Sequence, residues 1–191
     1  MSADLEKRGL DRGQWMEKLE KIDQSLRRQN TSAKLTLVGS AIGILAGQPS
    51  RTSMDLDIWR PRSQYQVQEL RQAVEAAGIL FDPKATLEPE TPYVQMVDPG
   101  IVQTGKFLET ETIEQFGALR LERPPIANLI AAKLLRAEPK DVDDIAFLQS
   151  FFQPAREDVE QAIKTMPAQA RMKASENLVY LDVISRDQNE P

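Results

Sequence analysis

Two aspartates, Asp55 and Asp57, are the residues of this sequence whose spacing most clearly suggests chemistry. They lie in a short apolar segment, residues 54–59, that is predicted to be a strand. Side chains alternate along a strand, so both carboxylates project from one face, roughly 7 Å apart. A divalent cation would relieve their repulsion, and such hard oxygen ligands suit Mg²⁺ or Mn²⁺ together with phosphate oxygens. The alternative is an edge strand with a solvated acidic face.

A glycine and a serine, Gly39 and Ser40, connect a predicted strand at residues 34–38 to a short apolar helix at 41–46. Glycine lets the backbone come close to a phosphate, and the amides at the start of a helix then face that phosphate. The Ser40 hydroxyl can add one more donor. The turn therefore indicates a phosphate-binding function, and this Gly-Ser pair ahead of Asp55 and Asp57 favours a functional role for the aspartates.

The composition excludes several other kinds of chemistry. The 191 residues contain no cysteine and no histidine. Disulfides, thiolate metal sites and mechanisms that need a histidine base are therefore absent, and a zinc site is disfavoured. The net charge of −5 argues mildly against binding of extended nucleic acid, although not against one nucleotide or an RNA end. Because no membrane-length apolar run or signal-peptide pattern occurs, we expect a cytoplasmic location and no membrane partner.

The elements that must position these residues alternate at first and then become helical. Hydrophobic periodicity and capping signals predict strands at residues 34–38, 54–59, 93–97 and near 118–121. They predict helices at residues 14–28, 41–46, from Ser63 to Gly78, about 125–137, 141–152, 155–166 and 168–184. Residues 82–92 are predicted to form a loop. This order indicates an α+β fold, a small mixed sheet flanked by helices and followed by a C-terminal helical region.

The spacing of these motifs resembles a known superfamily. A hydrophobic residue with Gly39-Ser40, followed after 14 residues by Asp55-hydrophobic-Asp57-hydrophobic, is similar to the signature of the DNA polymerase beta-like nucleotidyltransferases. Arg51 and Ser53 ahead of the aspartates, and Lys133 with the Lys-Asp-Val-Asp-Asp-Ile run at residues 140–145, resemble the group that contains bacterial abortive-infection AbiE-type toxins. The resemblance covers roughly residues 35–150.

This resemblance implies transfer of a nucleoside monophosphate from a nucleoside triphosphate to an acceptor hydroxyl, with Mg²⁺ or Mn²⁺ held by Asp55 and Asp57. A third carboxylate on a later strand is also implied. Asp98, which follows the predicted strand at 93–97, is the candidate for that catalytic role, and Glu109 and Glu111 are weaker substitutes. The alternative for Asp98 is a turn residue ahead of a proline.

Further nucleotide-binding residues follow from the same resemblance. The implied set is Gly39, Ser40, Arg51, Ser53, Lys133, Asp141 and Asp144, with Lys133 also counted as catalytic. A lysine on an apolar helix face needs an anion, which is either the triphosphate or an ion pair with Asp141 or Asp144. Asp141 can instead be a helix N-cap, and Arg51 an ordinary surface arginine.

The sequence predicts three segments and is compatible with several functions. The segments are an amphipathic N-terminal helix at 1–30, a nucleotidyltransferase core at 31–123 and a helical region at 124–191. The acceptor is an RNA or tRNA end, a protein or a small molecule, in a toxin-antitoxin or phage-defence system. A second hypothesis is a weak or inactive regulatory module that acts through a cognate antitoxin, another protein partner or a homo-oligomer. An antibiotic-modifying nucleotidyltransferase is a third.

Overall fold

The computed structural model of this chain describes residues 9–83 and 91–187. Residues 1–8 of the predicted N-terminal segment, most of the predicted 82–92 loop and residues 188–191 lie outside the described residues. Packing divides the chain into two compact units. The first contains the residues up to 99 together with 112–122, and the second contains residues 100–111 together with those from 123 onward.

Eight α-helices and six strands are present in the described part of the chain. The helices are α1 (Arg12–Arg28), α2 (Ala41–Leu45), α3 (Val67–Ala76), α4 (Ile126–Leu134), α5 (Pro139–Phe152), α6 (Arg156–Lys164), α7 (Ala168–Glu176) and α8 (Val179–Asp187). The strands are β1 (Ala33–Val38), β2 (Asp55–Trp59), β3 (Leu80–Phe81), β4 (Tyr93–Val97), β5 (Glu111–Gln115) and β6 (Leu119–Arg123). None of the described helices is long and apolar enough to cross a membrane.

The six strands form one mixed sheet in the order β3-β4-β2-β1-β6-β5. Strand β1 runs antiparallel to β2 and parallel to β6, while β4 runs parallel to both β2 and β3. Mixed pairing around β1 and β2, with helices between the strands, confirms the predicted α+β class. The pairing also puts β2, which carries the two aspartates, at the centre of the sheet between β1 and β4.

The predicted amphipathic helix α1 belongs to the core of the first unit. Its apolar stripe is fully buried and consists of Trp15, Leu19, Ile22 and Leu26. The helix begins with a capping box between Asp11 and Gln14 and packs against α3. Buried Asp23 accepts hydrogen bonds from the backbone amides of Ala118 at 2.6 Å and Leu119 at 3.0 Å. This carboxylate therefore fixes α1 to the start of β6.

The second unit is helical, apart from the segment that precedes β5. Helix α4 is its centre and packs against α5, α6 and α7. Its core residues are fully buried and include Ile130, Leu134, Ile145 and Val159. The predicted helix at 168–184 is in fact two helices, because α7 ends at Glu176 and α8 begins at Val179. Asn177, at the break, donates its amide to the Leu134 carbonyl at 2.7 Å.

Further local elements differ from those expected from the sequence. Ser63 does not open a helix, because its hydroxyl accepts from the Thr36 amide at 2.9 Å and donates to the Trp59 carbonyl at 2.8 Å. Residues 60–62 form a 3₁₀ turn, and α3 begins only at Val67. Strands β3 and β5 were not predicted, and helix α5 begins at Pro139, so that Asp141 lies in its first turn rather than at the N-cap.

Candidate nucleotide and metal site

Strand β2 presents its two aspartates on one face of the sheet. Asp55 and Asp57 are half-buried, whereas the alternating residues Leu56 and Ile58 are 1% and 0% exposed. The apolar side chains therefore occupy the core face, and both carboxylates project from the opposite face. Two half-buried carboxylates about 7 Å apart along a strand provide hard oxygen ligands for a divalent cation.

The backbone at Gly39 lies directly against one of these carboxylates. Val38, the last residue of β1, is paired with Asp57 in the antiparallel register. Gly39 has a positive φ of 77°, and a β-carbon added to it would lie only 2.5 Å from Asp57 Oδ2. Both the backbone conformation and this contact require glycine. The predicted phosphate turn and the predicted metal carboxylates are therefore adjacent.

Ser40 lies at the start of helix α2, which has only five residues. Its side chain is half-buried and does not cap the helix. A helix this short has a small dipole, because the dipole is the sum of aligned peptide units. Binding of a phosphate here would consequently depend on hydrogen bonds from individual backbone amides and from the Ser40 hydroxyl, more than on the dipole of the helix.

Ser53 and Arg51 occupy the segment that leads into β2. The Ser53 hydroxyl donates a hydrogen bond to Asp55 Oδ1, and the Asp55 amide donates to the same hydroxyl at 3.3 Å. The backbone of Ser53 is itself held by paired hydrogen bonds to Leu10, of 2.9 and 3.2 Å. Ser53 therefore orients Asp55. Arg51 is half-buried in the preceding loop, and its binding role stays a prediction.

Strand β4 places a glutamine, and no acidic residue, beside the two aspartates of β2. In the parallel register of β2 and β4, Gln95 lies beside Asp57 and Tyr93 beside Asp55. Residues paired in this way share a sheet face, so the exposed Gln95 side chain shares the face of Asp57. Asp98 lies beyond this level, 64% exposed, with its Oδ1 3.2 Å from Arg60 Nε. Its catalytic role stays a prediction.

The two weaker candidates belong to the second unit. Glu111 pairs with Arg123 Nη2 at 2.7 Å, and Glu109 is exposed. Within residues 9–83 and 91–187, no three acidic side chains form a group that could hold a metal ion. Among the described residues, the acidic ligands that this site offers to a metal are therefore Asp55 and Asp57.

The second motif, around Lys133, forms a buried ion-pair network. Lys133 Nζ lies 2.7 Å from Asp144 Oδ2 and 3.7 Å from Asp141 Oδ1, and all three residues are at least nine-tenths buried. Asp141 also accepts two hydrogen bonds from the Arg136 guanidinium, of 2.7 and 3.1 Å. The network joins α4 to α5 inside the second unit. These contacts are those of the ion-pair alternative, and binding of nucleotide by Lys133, Asp141 and Asp144 stays a prediction.

Comparison with known proteins gives a likeness in fold. No protein-family model matches the chain, and no curated protein matches it in sequence. Among solved structures, it is similar to an antigenic nucleotidyltransferase-like protein from Paracoccidioides brasiliensis, with a TM-score of 0.52. The two are 17% identical, over 93% of this chain and 92% of that one. The chain has a nucleotidyltransferase-like fold. This likeness concerns the fold, while the superfamily resemblance of the sequence motifs and the narrower AbiE-type resemblance stay predictions.

Two features of this candidate site were not predicted from the sequence. Gln95 stands in a predicted strand, but its place beside Asp57 follows from a pairing between strands that are far apart in sequence. The contact of Gly39 with Asp57 has the same origin. For Gly39 there was a usable signal, since a glycine that ends a strand is a common sign of close backbone approach.

Proposed function

We propose that this chain is a metal-dependent nucleotidyltransferase, which moves a nucleoside monophosphate from a nucleoside triphosphate to an acceptor hydroxyl and releases pyrophosphate. The observation that carries the proposal is the adjacency of Gly39 to Asp57 on the face of β2. A phosphate-accepting turn beside two aligned carboxylates is an arrangement suited to a metal-bound triphosphate. The nucleotidyltransferase-like fold supports it.

The residues present fit a Mg²⁺ or Mn²⁺ ion. Mg²⁺ binds to proteins through one or two carboxylates and completes its octahedral shell with waters and substrate phosphates. Asp55 and Asp57 provide two such carboxylates, and the hydrogen bond from Ser53 limits the rotation of Asp55. When bound, the ion would neutralise charge on the reacting phosphates and align them. No third carboxylate is needed for binding itself.

The chain's own groups would position the substrate. The backbone at Gly39 admits a phosphate oxygen where a side chain would block it, and the Ser40 hydroxyl donates to that phosphate. Arg51 is proposed as a further cationic contact, and Asp98 as the carboxylate that assists the acceptor hydroxyl. Positioning of this kind provides much of the rate enhancement in phosphoryl transfer. The proposed acceptor is an RNA end, a protein or a small molecule in a defence system.

Nucleotide transfer with all four labelled triphosphates, with Mg²⁺ or Mn²⁺, tests this proposal. An Asp57→Asn variant should lose metal-dependent triphosphate binding and transfer, while Asp143→Asn, an exposed aspartate on α5, should retain both. Circular dichroism of the two variants controls for folding. Full activity in Asp57→Asn would refute the assignment of the site.

A second function is favoured by one observation, the glutamine beside Asp57. Without a third carboxylate on β4, the chain would bind a metal-nucleotide complex but turn it over slowly or not at all. It would then act as a regulatory module through a protein partner such as a cognate antitoxin. Tight Mg-triphosphate binding without product, together with measurable transfer in Gln95→Asp, would support this function. Robust turnover by the unmodified chain would exclude it.

A further inference from the structure

A cavity of about 500 Å³ lies within the second unit, and its lining comes from that unit alone. Small-molecule sites are typically about 300–1,000 Å³, with mostly apolar walls and a few polar groups. Here the apolar wall includes Phe107, Ile126 and Phe152, while Arg123 and Glu111 are the charged pair among the lining residues. The cavity is of ligand size and is not explained by the proposed nucleotide site.

Arg123 is a buried cation in this wall. It is only 8% exposed, and its guanidinium carbon lies 4.8 Å from the centroid of the Phe152 ring. One nitrogen donates to the Pro124 carbonyl at 3.1 Å, and another lies 2.7 Å from Glu111 Oε2. Burial lowers the pKa of Arg123, although Glu111 partly offsets that effect. A buried guanidinium stacked on an aromatic ring is well suited to bind a planar carboxylate.

The carboxylate that is paired with this guanidinium, that of Glu111, is easily displaced. The Glu111 side chain is 52% exposed, whereas that of Arg123 is 9% exposed. Glu111 can therefore swing into water at small cost, because a half-exposed acid is well solvated without its partner. The buried Arg123 guanidinium cannot turn into water in this way, and it therefore requires an anionic partner. The pair thus consists of a fixed cation and a replaceable anion.

The remaining charges favour a ligand with a single negative charge. Lys106 and Asp158 also line the cavity, so that with Arg123 and Glu111 the four charges balance. Displacement of Glu111 leaves one excess positive charge. A monoanion would restore neutrality, while a triphosphate would bring several unmatched negative charges into the cavity. The first turn of α4, which lines the cavity, contains no acidic residue to oppose an anion.

We propose that this cavity binds a small organic monocarboxylate with an aromatic or branched apolar body. Its carboxylate takes the place of Glu111 on Arg123, and its apolar body packs against Phe107, Phe152 and Ile126. This inference goes beyond the proposed nucleotidyltransferase function and does not depend on it. The chemistry is that of a recognition site, which would serve either an acceptor substrate or an effector.

Calorimetry on the full chain with defined probes tests the proposal. We expect 3-phenylpropionate to bind, and phenethylamine, which carries an ammonium in place of the carboxylate, to bind at least about tenfold more weakly, since the charge-assisted hydrogen bond is lost and Arg123 repels the ammonium. Propionate, which lacks the ring, should also bind more weakly. Equal binding of the amine or no binding of 3-phenylpropionate at millimolar concentration would overturn the proposal.

Two substitutions should change the affinity for 3-phenylpropionate in opposite directions. A gain in affinity in one of them cannot result from loss of folding. Arg123→Gln should weaken binding of 3-phenylpropionate at least about tenfold. Arg120→Gln, on the same strand but outside the cavity lining, should leave this binding unchanged. Glu111→Gln removes the competing carboxylate and should strengthen binding several-fold. A purely structural Arg123–Glu111 pair predicts no such gain. If Arg123→Gln does not fold, Glu111→Gln alone decides, and unchanged or weaker binding in that variant refutes the inference.

Discussion

Replacement of Lys133 by methionine separates the structural from the nucleotide-binding role of this residue. Lys133 is 7% exposed, and its ammonium lies 2.7 Å from Asp144 and 3.7 Å from Asp141. Asp141 keeps the two hydrogen bonds from Arg136, while Asp144 loses its 2.7 Å contact with the ammonium. Removal of one partner from a buried ion pair typically costs about 3–5 kcal/mol. We therefore expect Lys133→Met to lower the free energy of unfolding by about this amount.

The corresponding fall in melting temperature is about 6–20 °C, because 1 kcal/mol shifts a domain of this size by roughly 2–4 °C. Far-UV circular dichroism during urea unfolding is the suitable assay, since it reports the helices of both units. The two tryptophans, Trp15 and Trp59, lie in the first unit, so their fluorescence reports that unit separately. A Lys133→Met effect confined to the second unit should lower the dichroism midpoint more than the fluorescence midpoint.

Lys140→Met is the matched control. Lys140 is 57% exposed and pairs with half-exposed Glu138 at 3.3 Å, so its removal should change stability by less than about 1 kcal/mol. The double variant Lys133→Met with Asp144→Leu should recover part of the loss, since an apolar pair often replaces a buried ion pair without penalty. Wild-type stability in Lys133→Met, accompanied by weaker triphosphate binding, would refute the structural role and favour phosphate as the lysine's partner.

Three further substitutions have expected outcomes. Gly39→Ala should weaken Mg-triphosphate binding at least about tenfold in calorimetry, because its β-carbon would displace the Asp57 carboxylate; wild-type affinity would contradict this. Asp23→Ala should destabilise the first unit by about 1–3 kcal/mol in urea unfolding, since the part-buried amide of Ala118 and the buried amide of Leu119 lose their acceptor; an unchanged midpoint would argue against that role. Gly105→Ala should lower stability by roughly 2–4 kcal/mol, because φ is +72° and the Ala162 carbonyl occupies the β-carbon position; a melting temperature equal to wild type would show that this backbone adapts.

The local elements of the first unit were predictable because their signals are local. The alternation of Leu56 and Ile58 with two aspartates is a period-two pattern, and it correctly indicated a strand with one polar face. The end of β1 was also predictable from a local signal, the glycine at position 39. Ser63 shows the limit of such signals. The sequence predicted that Ser63 opens a helix, but its hydroxyl accepts a hydrogen bond from the Thr36 amide, 27 residues earlier.

The partners of the site residues were not predictable, because strand pairing and helix packing bring together distant residues. Nothing near Gln95 in the sequence indicates that it lies beside Asp57. Likewise, a lysine on an apolar helix face indicates that an anionic partner is needed, but the sequence does not identify that partner. For Lys133 the choice between Asp144 and a phosphate depended on how α4 packs against α5. The cavity around Arg123 has the same character, since its lining comes from several separated segments.

The borders of the sheet restrict how this protein could associate with copies of itself. One border is β3, with only two residues, and the other is β5, whose sequence Glu-Thr-Ile-Glu-Gln includes two acids and no fully buried side chain. Short or charged outer strands discourage continuation of hydrogen bonding into a neighbouring molecule. Dimerisation by β-sheet augmentation is therefore disfavoured on the described part of the chain. Among the described residues, association of copies would therefore use surfaces other than these two strand edges.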